Sequence, residues 1–581
     1  MGSYYTDEKN VLVIIRLLKE HGIRKVIASP GTTNMSLVAS LQRDPFFEMY
    51  SSPEERSAAY MACGLAAESG EPVVISCTGA TASRNYVPGL TEAFYRKLPV
   101  LAITSSQRFA RVGHHIAQIV DRSSMQKDIV NLSVTLPIVK DDEDLWECEV
   151  KVNQAILELT RQGGGPVHIN LPTTYSQSYE TQELPSARVM SRITQSTQFP
   201  DIPGGKVAVF VGSHKLMTKV ETEAIDSFCA ANDAVVFCDH TSGYKGKYRV
   251  LYSLVAGQIN VDLGEHQPNL FIHMGEITGD YYTLKMVGKQ VWRVSPDGEI
   301  RDTFRKLNCI FEMPERFFFE YYAKNKKNKT DSYLKFCKSK VEEFSSKVPE
   351  LPFSNPWLAS KMAHRIPQGS AIHFGILNSL RSWNFFELPQ SVNSASNVGG
   401  FGIDGGMSTL VGASLANKNK LYFGVIGDLA MFYDLNALGN RHLSKNLRIL
   451  LVNNGKGTEF KQFDHFAAKL GDDADLYIAA NGHYGNKSKT LMRDYAQNLG
   501  FEYFCASNKQ EFNEVYERFL IGEVTDRPML FEVFTNSIDE SAALEAMLRI
   551  AKAEIKGLKG FAKQALGQKG VDLLKKAFGQ E

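Results

Sequence analysis

The feature that most constrains the fold is a repeated alternation of short apolar stretches with helix-like stretches. In the first part of the chain KVIAS, PVVISCT, PVLAITS and GPVHINLP alternate with VLVIIRLLKEHG and RSAAYMACGLAAES. Further along, AIHFGI, LYFGVIGD, LRILLVNN and PMLFEVF recur in the same way. Continuous apolar runs of this length are typical of strands buried on both faces. The pattern therefore predicts parallel sheets covered by helices.

Two polar stretches predict where the chain divides. A stretch rich in Ser, Thr and Gln begins at residue 173, and a Lys/Asn-rich stretch, KNKKNKTDS, begins at residue 324. Between them KVAVFVG, AVVFCD, NLFIHMG and QVWRVS predict a further α/β unit. We therefore expect an α/β protein of three doubly wound parallel-sheet domains, at 1–180, 190–335 and 345–540.

Residues 541–581 form a predicted tail of different composition. It carries eight Lys or Arg against four Asp or Glu, and its apolar residues fit one broad helical stripe that glycines at 557, 560, 567 and 570 weaken. Such a basic amphipathic segment predicts contact with a membrane surface or a partner protein. An arm packed on the protein's own oligomer is the alternative.

Composition argues against several classes of protein. Lys and Arg number 65 and Asp and Glu 64, which gives a net charge of +1, so nucleic acid is not expected as a partner. The eight Cys include no CxxC pair, which argues against zinc ribbons. The N-terminal stretch is acidic and its apolar segment is broken by Arg16, unlike a secretory signal. No apolar run approaches the roughly 20 residues of a membrane span, and we expect a cytoplasmic protein.

Polar residues at the ends of two predicted strands form the strongest local pattern. Gly427-Asp428-Leu429 follows one strand and Asn453-Asn454 ends the next. A carboxylate and an amide oxygen suit Mg²⁺, and doubly wound sheets bind ligands at the carboxyl ends of their strands. Glycines at 427, 455 and 457 allow a phosphate to approach the backbone closely. Two ordinary turns are the alternative.

These residues belong to a longer stretch, GDLAMFYDLNALGNRHLSKNLRILLVNNGKG, which resembles the thiamin-diphosphate signature. FGIDGGMSTLVGASLA, LNSLR and PEERSAAYMACGLA resemble blocks of 2-succinyl-5-enolpyruvyl-6-hydroxy-3-cyclohexene-1-carboxylate synthase, a family of menaquinone synthesis called the succinyl synthases below. The resemblance covers about residues 1–540. It implies thiamin diphosphate and Mg²⁺ as cofactors, and PYR (pyrimidine-binding), middle and PP (diphosphate-binding) domains in this order. It also implies a homodimer or homotetramer, with the cofactor held between subunits.

The resemblance assigns cofactor residues one by one. It implies that Asp428, Asn454 and the carbonyl of Lys456 ligate Mg²⁺, and that Ile403 wedges the cofactor into a bent shape. The other residues that it places at the cofactor are Asn378, Ser379, Gly427, Leu429, Gly455, Gly457 and Thr458.

Glu55 is the catalytic and cofactor-binding glutamate that the resemblance implies in the PYR domain. A carboxyl group that shares a proton with the aminopyrimidine ring favours the tautomer that removes the C2 proton of the cofactor. The alternative is an acidic residue that stabilises a helix N-terminus. The neighbouring Glu54 leaves the choice between the two positions open.

Several positions depart from the succinyl synthase pattern. Where the resemblance implies arginines that bind substrate carboxylates, this chain has Thr33, Trp383 and Val398. Losing bidentate arginine pairs would weaken substrate binding by several kcal/mol, at about 1.5–3 kcal/mol each. We therefore expect substrates other than isochorismate and 2-oxoglutarate. Thr33, Arg108 and Arg381 are the candidate substrate residues, with ordinary surface roles as the alternative for the two arginines.

Other residues resemble those of decarboxylases. His114, His115 and Gln118 fall on a loop where pyruvate decarboxylase-like enzymes carry a His pair and acetohydroxyacid synthases carry a Gln. Histidine exchanges protons readily near neutral pH. Glu459 lies where decarboxylases keep a glutamate that assists CO₂ loss or protonation. These four residues are candidate catalytic groups, and solvated loop residues are the alternative.

Together these features predict a thiamin-diphosphate- and Mg²⁺-dependent decarboxylase/carboligase. A 2-oxo acid would lose CO₂ to leave an enamine, which attacks a second carbonyl and forms a hydroxyketone. Three alternatives stay open. They are a decarboxylase that releases an aldehyde, a true succinyl synthase with altered arginines, and a non-catalytic scaffold that binds cofactor or a partner.

Overall fold

The computed structural model describes residues 4–259, 261–324, 330–483 and 488–551. They divide into two compact units. The first unit contains the residues up to Phe199 together with Asp297–Glu312, and the second contains Pro200–Pro296 together with the residues from Met313 onward. Within the described ranges, every helix is too short or too polar to cross a membrane.

The first 199 residues alternate strands and helices as the sequence predicts. The elements are α1 (Lys9–Glu20), β1 (Lys25–Ala28), α2 (Met35–Leu41), β2 (Glu48–Ser51), α3 (Glu55–Ser69), β3 (Val73–Cys77), α4 (Thr81–Asn85), α5 (Val87–Tyr95), β4 (Val100–Ser106), β5 (Leu132–Thr135), α6 (Asp142–Glu158), β6 (Val167–Pro172) and β7 (Ser191–Ile193), with 3₁₀ turns at Phe109–Arg111 and Arg161–Gly163. Six strands form a parallel sheet in the order β2-β1-β3-β4-β6-β5. Every residue of β3 and β6 is buried, as expected for strands covered on both faces.

Residues 200–324 contain the next group of elements. They are β8 (Val207–Val211), α7 (Lys219–Asn232), β9 (Ala234–Cys238), β10 (Arg249–Leu251), α8 (Ser253–Ala256), β11 (Leu270–Met274), β12 (Gln290–Ser295), β13 (Leu307–Glu312) and α9 (Glu315–Ala323), with a 3₁₀ turn at Thr283–Met286. In the second unit five of these strands are parallel, in the order β10-β9-β8-β11-β12. In the first unit β7 and β13 pair in parallel with each other.

Residues 330–551 contain the last group. They are α10 (Ser332–Ser346), α11 (Asn355–Met362), β14 (Ala371–Phe374), α12 (Asn378–Trp383), β15 (Asn393–Ser396), α13 (Gly406–Leu415), β16 (Tyr422–Gly427), α14 (Asp428–Tyr433), β17 (Leu447–Asn453), α15 (Leu491–Asn498), β18 (Glu502–Ala506), α16 (Lys509–Phe519), β19 (Met529–Phe534) and α17 (Ser537–Leu548), with 3₁₀ turns at Ala363–Arg365, Leu435–Gly439, Thr458–Lys461 and Phe466–Ala474. The strands form a parallel sheet in the order β15-β14-β16-β17-β19-β18.

The strand order of this last sheet determines where a ligand can bind. From β14 the chain continues to β15 on one side, and from β16 it continues to β17 on the other side. The loops that leave the carboxyl ends of β14 and β16 therefore separate and leave a crevice between them, which is the general ligand site of doubly wound sheets.

The predicted fold class, parallel α/β sheets, is confirmed. The domain limits stay predictions, and α10 continues through the stretch at 335–345 where one boundary is predicted. Of the predicted tail, α17 and the three residues after it are described, and residues 552–581 lie outside the described residues.

Candidate active site

A cavity of about 210 Å³ lies in the second unit at the carboxyl ends of β14, β16 and β17. Its lining brings together most of the cofactor and metal residues that the sequence predicts in this part of the chain: Asn378, Ser379, Ile403, Gly427, Asp428, Leu429, Asn454, Lys456, Gly457 and Thr458. Glu459, predicted as catalytic, lines it too, while Gly455 lies behind the surface and donates its amide to Asp428. The structure therefore brings together residues predicted from the strand ends and residues that the resemblance implies, and their roles stay predictions.

Asp428 and Asn454 are the polar centre of this cavity. Asp428 is buried at the start of α14, where its Oδ2 accepts the Gly455 amide at 2.8 Å. Burial raises the pKa of Asp428 to about 7, although the backbone amides of Leu429 and Gly455 oppose this shift. The Oδ1 atom of Asn454 is buried and has no hydrogen-bond partner among the described residues. A buried acceptor without a donor is costly unless something else binds it.

These residues fit a divalent cation. A cation would satisfy the Asn454 oxygen and offset the cost of burying the Asp428 charge, and both are the oxygen donors that Mg²⁺ prefers. The ammonium of Lys456 is bound by Asp475 at 2.6 Å, so its charge is already compensated. The Lys456 carbonyl, which the resemblance implies as a metal ligand, accepts the Thr458 hydroxyl at 3.3 Å and has a second lone pair for an ion. Among the described residues no group of three or more His, Cys, Asp or Glu forms an alternative metal site.

Glu459 and Arg381 are bound to each other. Arg381 donates from Nη2 to Glu459 Oε1 at 2.7 Å, and the Glu459 charge helps to raise the pKa of Arg381 although burial opposes it. Asn378 completes the group, since with its side-chain amide flipped its nitrogen donates to Glu459 Oε2 at 2.8 Å. The catalytic role of Glu459 and the anchoring role of Arg381 stay predictions. In the structure the two side chains form an ion pair, so each compensates the charge of the other.

The first unit distinguishes Glu54 from Glu55. Glu54 is the N-cap of α3, and its carboxylate accepts the amides of Arg56 at 3.1 Å and Ser57 at 2.7 Å. Glu55 is the first residue of the helix, and its Oε2 accepts a hydrogen bond from Asn85 Nδ2 at 3.3 Å. Glu54 therefore caps the helix, and the catalytic role of Glu55 stays a prediction.

The remaining predicted residues lie elsewhere in the first unit. Arg108, His114, His115 and Gln118 are exposed between β4 and β5, and His115 and Gln118 have positive φ angles of 55° and 66°. Thr33 is buried and its hydroxyl donates to the Ser105 carbonyl at 2.9 Å, so it is already engaged within the protein. The roles of these residues stay predictions.

The cavity also contains residues that the sequence did not indicate. The Nε2 atom of His373 is buried and has no partner among the described residues, and burial lowers the pKa of His373 to about 4. Asn355 donates its side-chain nitrogen to Ser379 Oγ at 3.4 Å and its amide to both carboxylate oxygens of Glu540 at 3.0 Å. These residues belong to no motif, because they meet only through tertiary structure.

Glu540→Gln should flatten the pH dependence of stability of the cofactor-free protein. Burial raises the pKa of Glu540 from 4.5 to about 7, so the ionised form is disfavoured in the folded state. Folding stability contributed by this group therefore falls as pH rises from about 4.5 to 7, by at most about 3 kcal/mol. Urea unfolding at pH 5 and pH 8 measures the difference. Glu545→Gln, half-exposed on the same helix, should keep the wild-type slope, and an equal slope in Glu540→Gln would contradict the assignment.

Residues 11–125 match the family model described as "Thiamine pyrophosphate enzyme, N-terminal TPP binding domain"; thiamine pyrophosphate is thiamin diphosphate. The sheets and this match define the class of protein, a thiamin-diphosphate enzyme. The chain is 31% identical to the 2-succinyl-5-enolpyruvyl-6-hydroxy-3-cyclohexene-1-carboxylate synthase of Bacteroides fragilis, over 93% of this chain and 98% of that protein. It therefore belongs to the family of these succinyl synthases.

Further relatives agree with this assignment. Synthases of the same name from Bacteroides thetaiotaomicron and Flavobacterium johnsoniae are 30% and 25% identical, over 93% and 92% of this chain and 98% and 97% of theirs. Among solved structures, the Rhodococcus jostii RHA1 thiamine diphosphate-dependent 4-hydroxybenzoylformate decarboxylase aligns over 91% of this chain and 99% of that one, with 17% identity and a TM-score of 0.39. A TM-score of 0.39 is too low to support a common fold, and the family membership follows from the similarity in sequence.

Proposed function

We propose that the protein is a thiamin-diphosphate- and Mg²⁺-dependent synthase that joins two carbon skeletons. The observation that carries the proposal is the single cavity in which the buried Asp428 carboxylate, the unpaired Asn454 oxygen and the apolar Ile403 meet. The first activity to test is the one in the relatives' names, the succinyl synthase reaction. The comparisons support this alternative better than a general decarboxylase/carboligase. The scattered cysteines favour the cytoplasm as its location.

Thiamin diphosphate, when bound, supplies a thiazolium ring that takes up the electron pair released as a 2-oxo acid loses CO₂. Asp428, Asn454 and the Lys456 carbonyl would hold the divalent ion that binds the diphosphate. Glu55 would hold a proton at the aminopyrimidine ring, since no other acidic side chain in its helix turn is left for that role. The apolar side chains of Ile403 and Leu429 would exclude water from the reacting atoms.

The side chains at three positions where the resemblance implies arginines favour a different pair of substrates for the same type of reaction. Trp383 and Val398, where the resemblance implies arginines, are both buried, and Trp383 donates Nε1 to Asn355 Oδ1 at 3.2 Å. The hydroxyl of Thr33 is bound within the first unit. None of these three side chains offers a cation to a substrate carboxylate. The second candidate is therefore a carboligase whose substrates differ from isochorismate and 2-oxoglutarate.

One assay distinguishes the candidates. The full-length protein with thiamin diphosphate and Mg²⁺ is given 2-oxoglutarate with isochorismate, and in parallel a panel of other 2-oxo acids, while CO₂ release and product mass are followed. A succinyl product supports the relatives' activity, and CO₂ from another 2-oxo acid supports the second candidate. An aldehyde as the only product indicates a simple decarboxylase. No CO₂ from any donor, with cofactor bound, would overturn the proposal in favour of a non-catalytic member.

Ile403→Ala should lower the turnover rate, while its effect on the free energy of unfolding should be small. Ile403 is half-buried, lines the cavity and packs against the core of the PP sheet. Removing its branched side chain leaves the cofactor less firmly positioned, and misplacement of a reacting group by about 1 Å costs roughly 10- to 100-fold in rate. Initial rates of CO₂ release measure the effect. The matched control is Ile538→Ala, 79% exposed, and an equal loss in the two variants would contradict the role of Ile403.

We also propose that the protein works as a homodimer or a homotetramer. The cofactor residues that the resemblance implies lie in different units, with Glu55 in the first and Asp428 in the second. The resemblance also implies that the cofactor binds between these domains of two different subunits. Light scattering at assay concentration tests this. A monomer that turns over fully would contradict it.

A further inference from the structure

A second cavity of about 190 Å³ adjoins the cofactor cavity in the second unit. The two cavities share Glu459. The second cavity lies between the loop that follows β11, the C-terminal part of α12 and the segment after β17, and its other lining residues include Tyr281, Tyr282, Arg381, Asn384 and Asp464. A molecule bound here would lie next to the cofactor site, in the place that a second reactant needs.

The loop that forms one wall is fixed in place. A Cβ atom on Gly279 would come within 2.1 Å of Leu380 Cδ2, so glycine lets the loop lie close to α12 without displacing the Leu380 side chain. The buried carboxylate of Asp280 accepts the Ser253 hydroxyl at 2.6 Å and the Tyr282 amide at 3.0 Å. The cavity is therefore preformed, as binding sites for small molecules usually are.

Asn384 leaves an unused hydrogen-bond donor in the lining of this cavity. Its side chain is only 1% exposed. Its Oδ1 accepts the His240 backbone amide at 3.0 Å, which fixes the orientation of the side-chain amide. Its Nδ2 is buried and has no hydrogen-bond partner among the described residues. A buried amide donor without a partner points to a ligand that supplies an oxygen acceptor.

The charges of this cavity do not suit a polycarboxylate. Among the described residues of the lining, Arg381 is the only Lys or Arg, and Glu459 already binds its guanidinium at 2.7 Å. Asp280 and Asp464 add two more carboxyl groups, and His465 is the one other group that can carry a positive charge. Three carboxyl groups against one guanidinium and one imidazole leave no excess positive charge for an anion.

The aromatic residues of the cavity offer flat apolar faces with hydroxyl groups at their edges. Tyr281 is half-exposed, and Tyr282 stacks on Phe385 with ring centroids 6.0 Å apart and planes 18° apart. Tyrosine rings bury apolar surface and still make hydrogen bonds through their hydroxyls. Hydroxyls, carboxylates and one amide donor around an aromatic face match a ligand with many hydroxyl groups.

We propose that this cavity binds the second reactant, and that this reactant is a neutral, polyhydroxylated aldehyde or ketone. The inference rests on the second candidate of the proposed function, the carboligase with other substrates, since it names the acceptor class of that reaction. The donor 2-oxo acid loses CO₂, its remaining acyl carbon forms a bond to the acceptor carbonyl carbon, and the acceptor oxygen takes up one proton. The product is a polyhydroxylated 2-hydroxyketone, and no oxidant or reductant is needed.

The test compares two four-carbon aldehydes, neutral D-erythrose and anionic succinic semialdehyde, as acceptors for a donor that releases CO₂. We expect erythrose to be used at least tenfold more efficiently. Asn384→Asp keeps the acceptor for His240 but replaces the free donor with an oxygen. It should raise KM for erythrose about tenfold, the effect of one lost hydrogen bond. Tyr281→Leu should also raise KM, and the exposed Tyr95→Leu should not.

A binding experiment separates this inference from the proposed function. Ligand-observed NMR on the full chain with thiamin diphosphate and Mg²⁺ compares erythritol with succinate, neither of which can react. Erythritol binding that weakens in Asn384→Asp supports the inference, even if no donor releases CO₂. Absence of CO₂ release would overturn only the proposed function. Preference for succinate or succinic semialdehyde, or an Asn384→Asp variant that behaves as wild type, would overturn the inference and leave the proposed function standing.

Discussion

Asp428→Asn is expected to abolish Mg²⁺-dependent cofactor binding, with Kd for thiamin diphosphate raised roughly 100-fold or more. The substitution removes the only carboxylate of the implied ligand set. It also creates a conflict, because the Gly455 amide donates to one of the two oxygens at 2.8 Å. An asparagine oxygen can satisfy Gly455 or face the cation, and its nitrogen then occupies the other position, so one partner is lost in either orientation.

Titration calorimetry of thiamin diphosphate at fixed Mg²⁺ measures this loss. Asp472→Asn is the matched control, because Asp472 belongs to the same unit and its side chain is fully exposed. The control should bind cofactor as wild type does. A thermal unfolding midpoint of Asp428→Asn close to that of wild type would show that the fold is intact. Unchanged cofactor affinity in Asp428→Asn would show that the ion is held elsewhere, and would remove the basis of the proposed function.

The part of this site that could be predicted from sequence is the part that local pattern determines. Asp428 and Asn454 follow apolar strands, and the carboxyl ends of neighbouring parallel strands must lie at one edge of a sheet. Their meeting in one cavity follows from the fold class alone. The alternation of strands and helices predicted that fold class for the same reason, since strand burial is a property of consecutive residues.

Pairings over long distances along the chain could not be predicted in this way. Arg381 and Glu459 are 78 positions apart, and nothing near either one shows that the other neutralises its charge. Asn355 and Glu540 are 185 positions apart. Arg381 therefore looks like a free anchor for an anion in the sequence, but in the fold it is a bound group. The second cavity was missed for the same reason, because its walls come from the middle and PP segments of the chain.

Glu54 and Glu55 show a different limit. Both are acidic residues at the start of a predicted helix, and either one suits a helix N-terminus. The backbone distinguishes the two, because Glu54 has extended φ and ψ angles of −106° and 124° and its carboxylate turns back onto the first amides of α3. The difference between a cap and a catalytic candidate is therefore one residue of backbone geometry, which no composition or spacing rule resolves.

Glu55→Gln is expected to lower turnover roughly 10²- to 10⁴-fold, the range for loss of a proton-transferring group, while thiamin diphosphate still binds. Gln keeps an oxygen that can accept the Asn85 hydrogen bond but cannot hold an exchangeable carboxyl proton. The rate at which the C2 proton of the bound cofactor exchanges with deuterium, followed by acid quench and proton NMR, measures the effect without a known substrate.

Glu54→Gln is the matched control, because it changes the neighbouring carboxylate that caps α3 through Arg56 and Ser57. It should lower the thermal midpoint slightly and leave proton exchange near the wild-type rate. Loss of exchange in Glu54→Gln with normal exchange in Glu55→Gln would reverse the assignment. Normal exchange in both variants would mean that the proton-holding group lies outside this helix turn, and the first unit would then contribute binding surface without the acid–base chemistry.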